Sequence, residues 1–387
     1  MALIHLTLKW RSLFTGKNLI KKMENPPYQN NNGIALIITL TVIALLIIVT
    51  FELNRQLQVS VENSAIIRDQ MVLSHLITSG VEVGQAILIK DKNDSEIDSV
   101  QEDWANPEKI DAYLSQLPFD EGRLVMYITD ELGRIQVNSL VKFPQGKDFN
   151  PTQHDLWLRF MVLILTQQES LEENDALFEE IVEPSAIINP IKDWLDSNDN
   201  DAITGLNGAE DEYYQDLDPE YTTRNGPFRH IEELIRTKGI TPELFNAADD
   251  QVMGISNFLT VFGVSDLNDK FTYTGKININ TADMPVLAAL LPVGQEFLAA
   301  EIFNYRIESV NEQFLYDLTS PNWYTNVPGC SEVEIDAELI TTQSDIFRIE
   351  CSAGLRGIQK TATVIVQREK NEESGKWYCK VLNWAYE

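Results

Sequence analysis

Six carboxylates lie within nineteen residues: Asp193, Asp196, Asp199, Asp201, Glu210 and Asp211. They occur on a stretch rich in Asn and Gly, Asp193-Trp194-Leu195-Asp196-Ser197-Asn198-Asp199-Asn200-Asp201, followed by Gly208-Ala209-Glu210-Asp211. A hard cation needs clustered oxygens, about 6–8 for calcium, and alternate loop residues can turn carboxylates and carbonyls inward together. The EF-hand spacing is not met. Counting from Asp196, the sixth position is Asp201 instead of Gly and the twelfth is Asn207 instead of Glu. The plain alternative is a solvated acidic loop, common in a chain with net charge −29. Repulsion favours a bound cation, because so many like charges beside Trp194 and Tyr213-Tyr214 would hold the loop open without a counter-ion. The expectation is calcium, with Asp193, Asp196, Asp199, Asp201, Glu210 and Asp211 as candidate ligands.

Other chemistry is poorly supplied. His5, His75, His154 and His230 are scattered singly, with no Cys or His at metal-ligand spacing, which argues against zinc or a His-centred catalytic site. There is no G-x-S-x-G, H-E-x-x-H or P-loop, so no catalytic residue is assigned and no enzyme is expected. The charge of −29 opposes nucleic acid and anionic lipid as partners of the folded part. Cys330, Cys351 and Cys379 allow one disulfide, and the sequence leaves three choices of pair open.

The acidic loop must be carried by elements that the hydrophobic pattern reveals. Ile34–Phe51 is an uncharged apolar run of eighteen residues. At about 1.5 Å per residue it spans about 27 Å, enough to cross a hydrocarbon core. Lys9, Arg11, Lys17, Lys21 and Lys22 precede it, which keeps the N-terminus cytoplasmic and exports the chain beyond Phe51. A cleaved secretory signal would have a shorter apolar run and a small-x-small site, whereas Phe51-Glu52-Leu53 stands here; a retained anchor is expected. The preceding residues 1–33 read as a detachable leader, kept out of the helix by Pro26-Pro27, with Met23 as an alternative start.

Beyond Phe51, Leu53, Leu57, Val61, Ala65, Val72, Leu76, Val83 and Ile87 continue a helical pattern with no proline before Asp91, though a break near Gly80 is an equal reading. A helix is expected at Pro107–Gln116. Arg123–Thr129 and Arg134–Val141 read as two strands joined into a hairpin by Asp130–Gly133. Helices follow at His154–Gln168, Asn174–Ile181, Ser185–Leu195 and Phe228–Thr237, the last stopped at Gly239, and another opens at Thr241-Pro242-Glu243. Ile277–Ala282 is a short strand entering a helix at Asn280 or Thr281, and Gln295–Ile307 is its partner in a helical hairpin of the SAM or helix-hairpin-helix kind. Only Lys276 and Arg306 are basic there, against Asp283, Glu296, Glu301 and Glu308, so the hairpin is read as a packing module without nucleic acid. Asp345–Ser352, Lys360–Gln367 and Lys376–Trp384 read as three antiparallel strands. The fold class is α+β, one sheet with a large helical insertion.

Gly33-Ile34 followed by an apolar helix resembles the prepilin signature, in which a peptidase cuts after the glycine and the new N-terminus is methylated. Asp193–Asp201 with Gly208–Tyr214, Arg224-Asn225-Gly226-Pro227-Phe228 leading to Ile231-Glu232-Glu233-Leu234, and Ile277–Ala282 together resemble the K-type minor pseudopilins of type II secretion (GspK). The resemblance implies a pilin-like sheet on a long N-terminal helix and an inserted helical domain that binds calcium. It also implies a place at the pseudopilus tip with I- and J-type subunits, on an inner-membrane assembly platform, with the bulk of the chain periplasmic. The departures are a long leader and Asn32 where a basic residue is usual before Gly33. Ile38 stands where major subunits carry a glutamate that pairs with a neighbouring subunit's amine, which suits a first subunit. The expected layout is a leader at 1–33, the N-terminal helix at 34–91 with 34–51 transmembrane, and the first pilin-like strands at 92–141. An inserted helical domain comes next at 142–330, in lobes of about 142–265 and 277–330, and C-terminal strands at 331–387. The competing reading is an uncleaved, signal-anchored periplasmic calcium-binding protein outside any filament.

Overall fold

A computed structural model of the chain describes residues 32–119, 121–171, 182–197, 203–246, 253–267, 270–311 and 313–386. The leader before residue 32, Met23, the helix expected at 174–181, and Asp199 and Asp201 lie outside the described residues.

With no proline to interrupt it, α1 runs as one unbroken helix over Asn32–Asp94, as the pattern allows, and the alternative of a break near Gly80 is not found. Residues up to Ile67 form one compact unit and residues from Arg68 onward a second. In the first unit the apolar side chains from Ile34 to Phe51 are exposed, Ile38 at 56%. The polar atoms there are satisfied within the helix: the hydroxyls of Thr39, Thr41 and Thr50 donate to the carbonyls of Leu36, Ile38 and Leu46 at 2.7–2.9 Å. Internal satisfaction of this kind is what a hydrocarbon environment requires.

The second unit begins with the remainder of α1, then α2 (Pro107–Leu114), capped by Asn106 with Pro107 at its first position. Next come β1 (Arg123–Asp130), β2 (Ile135–Gln136), α3 (Pro151–Leu171), α4 (Ser185–Leu195), α5 (Asp211–Gln215) and α6 (Pro242–Phe245). They are followed by β3 (Leu259–Thr260), β4 (Val264–Leu267), β5 (Lys270–Tyr273), β6 (Ile277–Asn278), α7 (Met284–Leu290) and α8 (Ala299–Ile307). The chain closes with β7 (Ser309–Val310), β8 (Gln313–Phe314), β9 (Ile340–Thr341), β10 (Ile346–Leu355), β11 (Ile358–Lys370) and β12 (Trp377–Tyr386).

The main sheet has order β1-β10-β11-β12 and is antiparallel throughout. Arg356 and Gly357, with φ of 50° and 84°, form the two-residue turn between β10 and β11, matching the right-handed strand twist. One sheet face carries Met126, Ile128, Phe347, Ile349, Cys351, Val364 and Val366 against Leu73, Leu76, Ile77, Val81 and Leu88 of α1. Gly80 and Gly84 allow the close approach. A Cβ at Gly80 would lie 2.9 Å from Leu124 Cδ2, and one at Gly84 would lie 3.1 Å from Ile349 Cδ1. The three cysteines are free thiols, Cys351 on β10 and Cys379 on β12 of the sheet and Cys330 in the insertion.

The hairpin expected over Arg123–Val141 does not form. β1 is correct, but its partner is β10, more than two hundred residues later. Asp130 Oδ1 accepts from Leu132 N and turns the chain into a 3-10 turn. Buried Glu131 is then held by Arg348 and by the hydroxyl of Thr260. Ile135-Gln136 pairs in parallel with β3 instead, and Val137–Leu140 coils into a 3-10 helix. Phe228–Thr237 is likewise shorter than expected, a 3-10 helix at Ile231–Arg236. The helix after β6 starts at Met284, past Asn280 and Thr281, because the Asn280 amide is used for burial contacts with Leu318 O and Trp323 Nε1.

The insertion has one continuous core from Ile135 to Ile340, in which Trp157 and Phe160 of α3, Ile188 and Ile191 of α4, and Leu287 and Leu290 of α7 are buried together. Where it joins the sheet, Asn278 Nδ2 donates to Asp98 O at 2.9 Å and to Asp130 Oδ2 at 2.7 Å. Buried Arg368 of β11 donates to Asp91 Oδ2 at 3.1 Å and also to Asp98 Oδ1 and Ser344 O. Burial pushes the Asp91 carboxyl up to about 7 and Asp130 up to about 6.

Candidate metal centre

The spacing of Ile187, Ile188, Ile191 and Leu195 buries one face of α4 in the insertion core, which fixes where its last turn ends. That turn delivers Asp193, and Asp196 comes immediately after it; both side chains are fully buried. A helix C-terminus carries partial negative charge, so two buried carboxylates there are unfavourable unless a cation is near.

The chain then returns to the helix end. Asp193 accepts from Thr204 N at 3.1 Å with both oxygens, and from Ala209 N at 2.8 Å with Oδ2. Gly208 makes the return possible, since a Cβ there would lie 2.2 Å from Asp193 Oδ2 and 2.5 Å from Thr204 N. Glu210 stands just before α5, where its side chain makes no cap hydrogen bond and is buried, 2% exposed. An oxygen from each of Asp193, Asp196 and Glu210 lies within 4.8 Å of the others. Both carboxylate oxygens of Glu210 are buried with no hydrogen-bond partner among the described residues. Burial first, then the charges of Asp193, Asp196 and Asp211, push its carboxyl up to about 8. Asp193 is also raised, chiefly by burial.

Of the six candidate ligands, the structure thus brings together Asp193, Asp196 and Glu210. Asp211 is turned to other work: its Oδ1 accepts from Thr223 N at 2.7 Å and Thr223 Oγ1 at 2.6 Å, tying α5 to the next segment. Lys192 was not among the candidates, yet its Nζ lies 2.5 Å from Asp196 Oδ2, a contact set by the i,i+4 spacing on α4.

An aromatic wall backs the site. Trp194 stacks on Phe228 with centroids 6.0 Å apart and meets Tyr214 edge-on at 5.4 Å. Asn225, at φ 50°, and Gly226 bend the chain so that Gly226 N donates to Trp194 O at 3.2 Å. Glu233 holds the next turn by accepting from Arg224, Arg229 N and His230 N. These contacts give the Arg224–Phe228 and Ile231–Leu234 stretches a structural role around the loop.

A second trio, Asp91, Asp98 and Glu102, also meets within 4.8 Å. Here protein cations are at hand: Arg368 contacts Asp91 and Asp98, and Lys92 Nζ is 3.9 Å from Asp98.

The family model for type II secretion system protein K matches residues 133–253, the segment that builds the candidate metal centre. The type II secretion system protein K of Pseudomonas aeruginosa is 28% identical over 274 residues, covering 68% of this chain and 69% of that protein. The chain is similar to the K-type minor pseudopilins of type II secretion. The Aeromonas hydrophila protein K is 22% identical over 222 residues, covering 57% of this chain and 62% of its own length. In fold, the chain is similar to a chain in the crystal structure of the GspK-GspI-GspJ complex of enterotoxigenic Escherichia coli. The TM-score is 0.54 at 13% identity, over 83% of this chain and 98% of that one. The mixed α+β class, with a long apolar N-terminal helix, an antiparallel sheet and a helical insertion, agrees with that likeness. Among the described residues one helix, Gly33–Asp94, is long and apolar enough to cross a membrane.

Proposed function

We propose that this chain is the first subunit of the pseudopilus, assembling with I- and J-type subunits to start the filament that drives proteins across the outer membrane. Ile38 carries the reading. A glutamate at this depth is costly in hydrocarbon and is tolerated when it pairs with a neighbouring subunit's amine. Ile38 asks for no such neighbour, so no subunit need precede this one. Processing would cut after Gly33 through the prepilin peptidase, leave Ile34 as the methylated N-terminus, and hand the helix to the inner-membrane assembly platform with the bulk of the chain periplasmic. An Ile38→Glu variant should lose tip occupancy and reduce secretion at normal expression; unchanged secretion and tip occupancy would contradict the proposal.

The insertion is proposed to hold calcium through Asp193, Asp196 and Glu210. The chemistry fits: three hard oxygen donors, one of them buried with no hydrogen-bond partner among the described residues, at a helix C-terminus. A bound divalent ion would add positive charge beyond the single ammonium that Lys192 places against Asp196. Asp193 and Glu210 would then link the end of α4 to the start of α5. Chelation should lower the melting midpoint of the purified protein, and an unchanged midpoint would remove the calcium claim.

A further inference from the structure

We infer that Lys192 is a tethered counter-ion which occupies the metal centre in place of the metal and is displaced from Asp196 when a divalent cation enters. The inference rests on the calcium reading of Asp193, Asp196 and Glu210 and concerns how that site is tuned.

Three carboxylates with fully or nearly fully buried side chains cannot share one cavity at full charge without positive charge beside them. The two acidic trios among the described residues meet that need differently. At the joint with the sheet, a fully buried Arg368 donates to Asp91 and Asp98 through separate nitrogens, and Lys92 adds a second cation. At the end of α4, Lys192 reaches Asp196. Glu210 has no hydrogen-bond partner for either oxygen among the described residues.

The type of residue matters. A guanidinium holds carboxylates in a fixed planar fork, whereas a lysine ammonium is a compact ion on a flexible four-carbon stem. The Lys192 side chain is 12% exposed, so its head has a way to water, and its Nζ lies 6.0 Å from the Phe149 ring centroid. It can therefore withdraw from Asp196 without the helix moving. While it stays, one of the three metal-facing carboxylates is already engaged, and its charge repels an arriving cation. Lys192 thereby stabilises the metal-free insertion and weakens calcium binding.

The test uses the full chain purified in detergent, with calcium as the titrant in calorimetry and thermal melting in calcium or in chelator. Lys192→Met keeps the apolar stem and removes the charge. Its calcium dissociation constant should fall about tenfold or more, and its melting midpoint should drop in chelator but not in calcium. Lys192→Arg, which keeps the charge in a stronger two-pronged form, should bind calcium more weakly than the parent. If the parent protein binds calcium and Lys192→Met binds it equally or less tightly, the competing role is overturned while the metal site stands. If Lys192→Met does not fold, the Lys192→Arg arm decides, and tighter calcium binding there overturns the inference. A parent protein that takes up no calcium removes the metal reading and this inference with it.

Discussion

Glu210 has two buried oxygens with no hydrogen-bond partner among the described residues, and a carboxyl pushed up to about 8 by burial and by the acids around it. A neutral amide of the same shape relieves that charge but cannot replace it as a hard ligand. Glu210→Gln should raise the melting midpoint in chelator by a few degrees, on a scale where about 1 kcal/mol moves it about 2–4 °C, and should abolish the rise on adding calcium. Differential scanning calorimetry with and without chelator reads both. Gly208→Ala should act oppositely, lowering stability in either condition, because its Cβ would strike Asp193 Oδ2 and the Thr204 backbone. The candidate residues themselves were legible, since acidic spacing marks a potential cage. Which of them converge was not: that depends on a helix end and on one glycine permitting the chain to fold back. The Lys192–Asp196 spacing is visible in the sequence, but an i,i+4 pair signals a metal site only when both side chains prove buried.

At the scale of elements, α1 and the sheet are held by a close approach at Gly80 and Gly84. Gly84→Val should push Ile349 and Met126 away, 3.1 Å being the room left for a single Cβ, at a cost of about 1–3 kcal/mol measured by denaturant unfolding. The joint between α1, β11 and the insertion is sensitive to pH. Asp91 and Asp130 have carboxyls raised to about 7 and about 6, so the folded state favours their protonated forms. Their contribution is full below the ordinary carboxylate range and is lost as pH rises through 6 and 7. Asp91→Asn should therefore gain stability relative to the parent between pH 5 and pH 8, as followed by the difference in melting midpoint; a difference that stays flat would show that Asp91 does not titrate there. Local pattern revealed the C-terminal strands and α4 well, because alternation and a buried face are properties of the segment itself. It misjudged Arg134–Val141, where the side chains of Asp130 and Glu131 capture the turn and a strand from the far end of the chain takes the place beside β1.

For the molecule as a whole, a sheet whose first strand precedes the insertion and whose other strands come after it keeps the helical block on the pilin-like scaffold. The bracketing of a helical region by strand-like runs was readable in the sequence, whereas the single continuous core across the insertion emerged only from packing between α3 and α7. Function depends on the other end of the chain. The apolar side chains from Ile34 to Phe51 face outward, on a helix that continues unbroken to Asp94. In the proposed assembly this helix would be released from its leader while remaining in the membrane. Intact-mass and N-terminal peptide analysis of the membrane-bound protein tests this most directly. The mature chain should begin at Ile34 and carry one methyl group on its amine; a membrane form that retains residues before Gly33, or an exported form trimmed beyond Phe51, would contradict it.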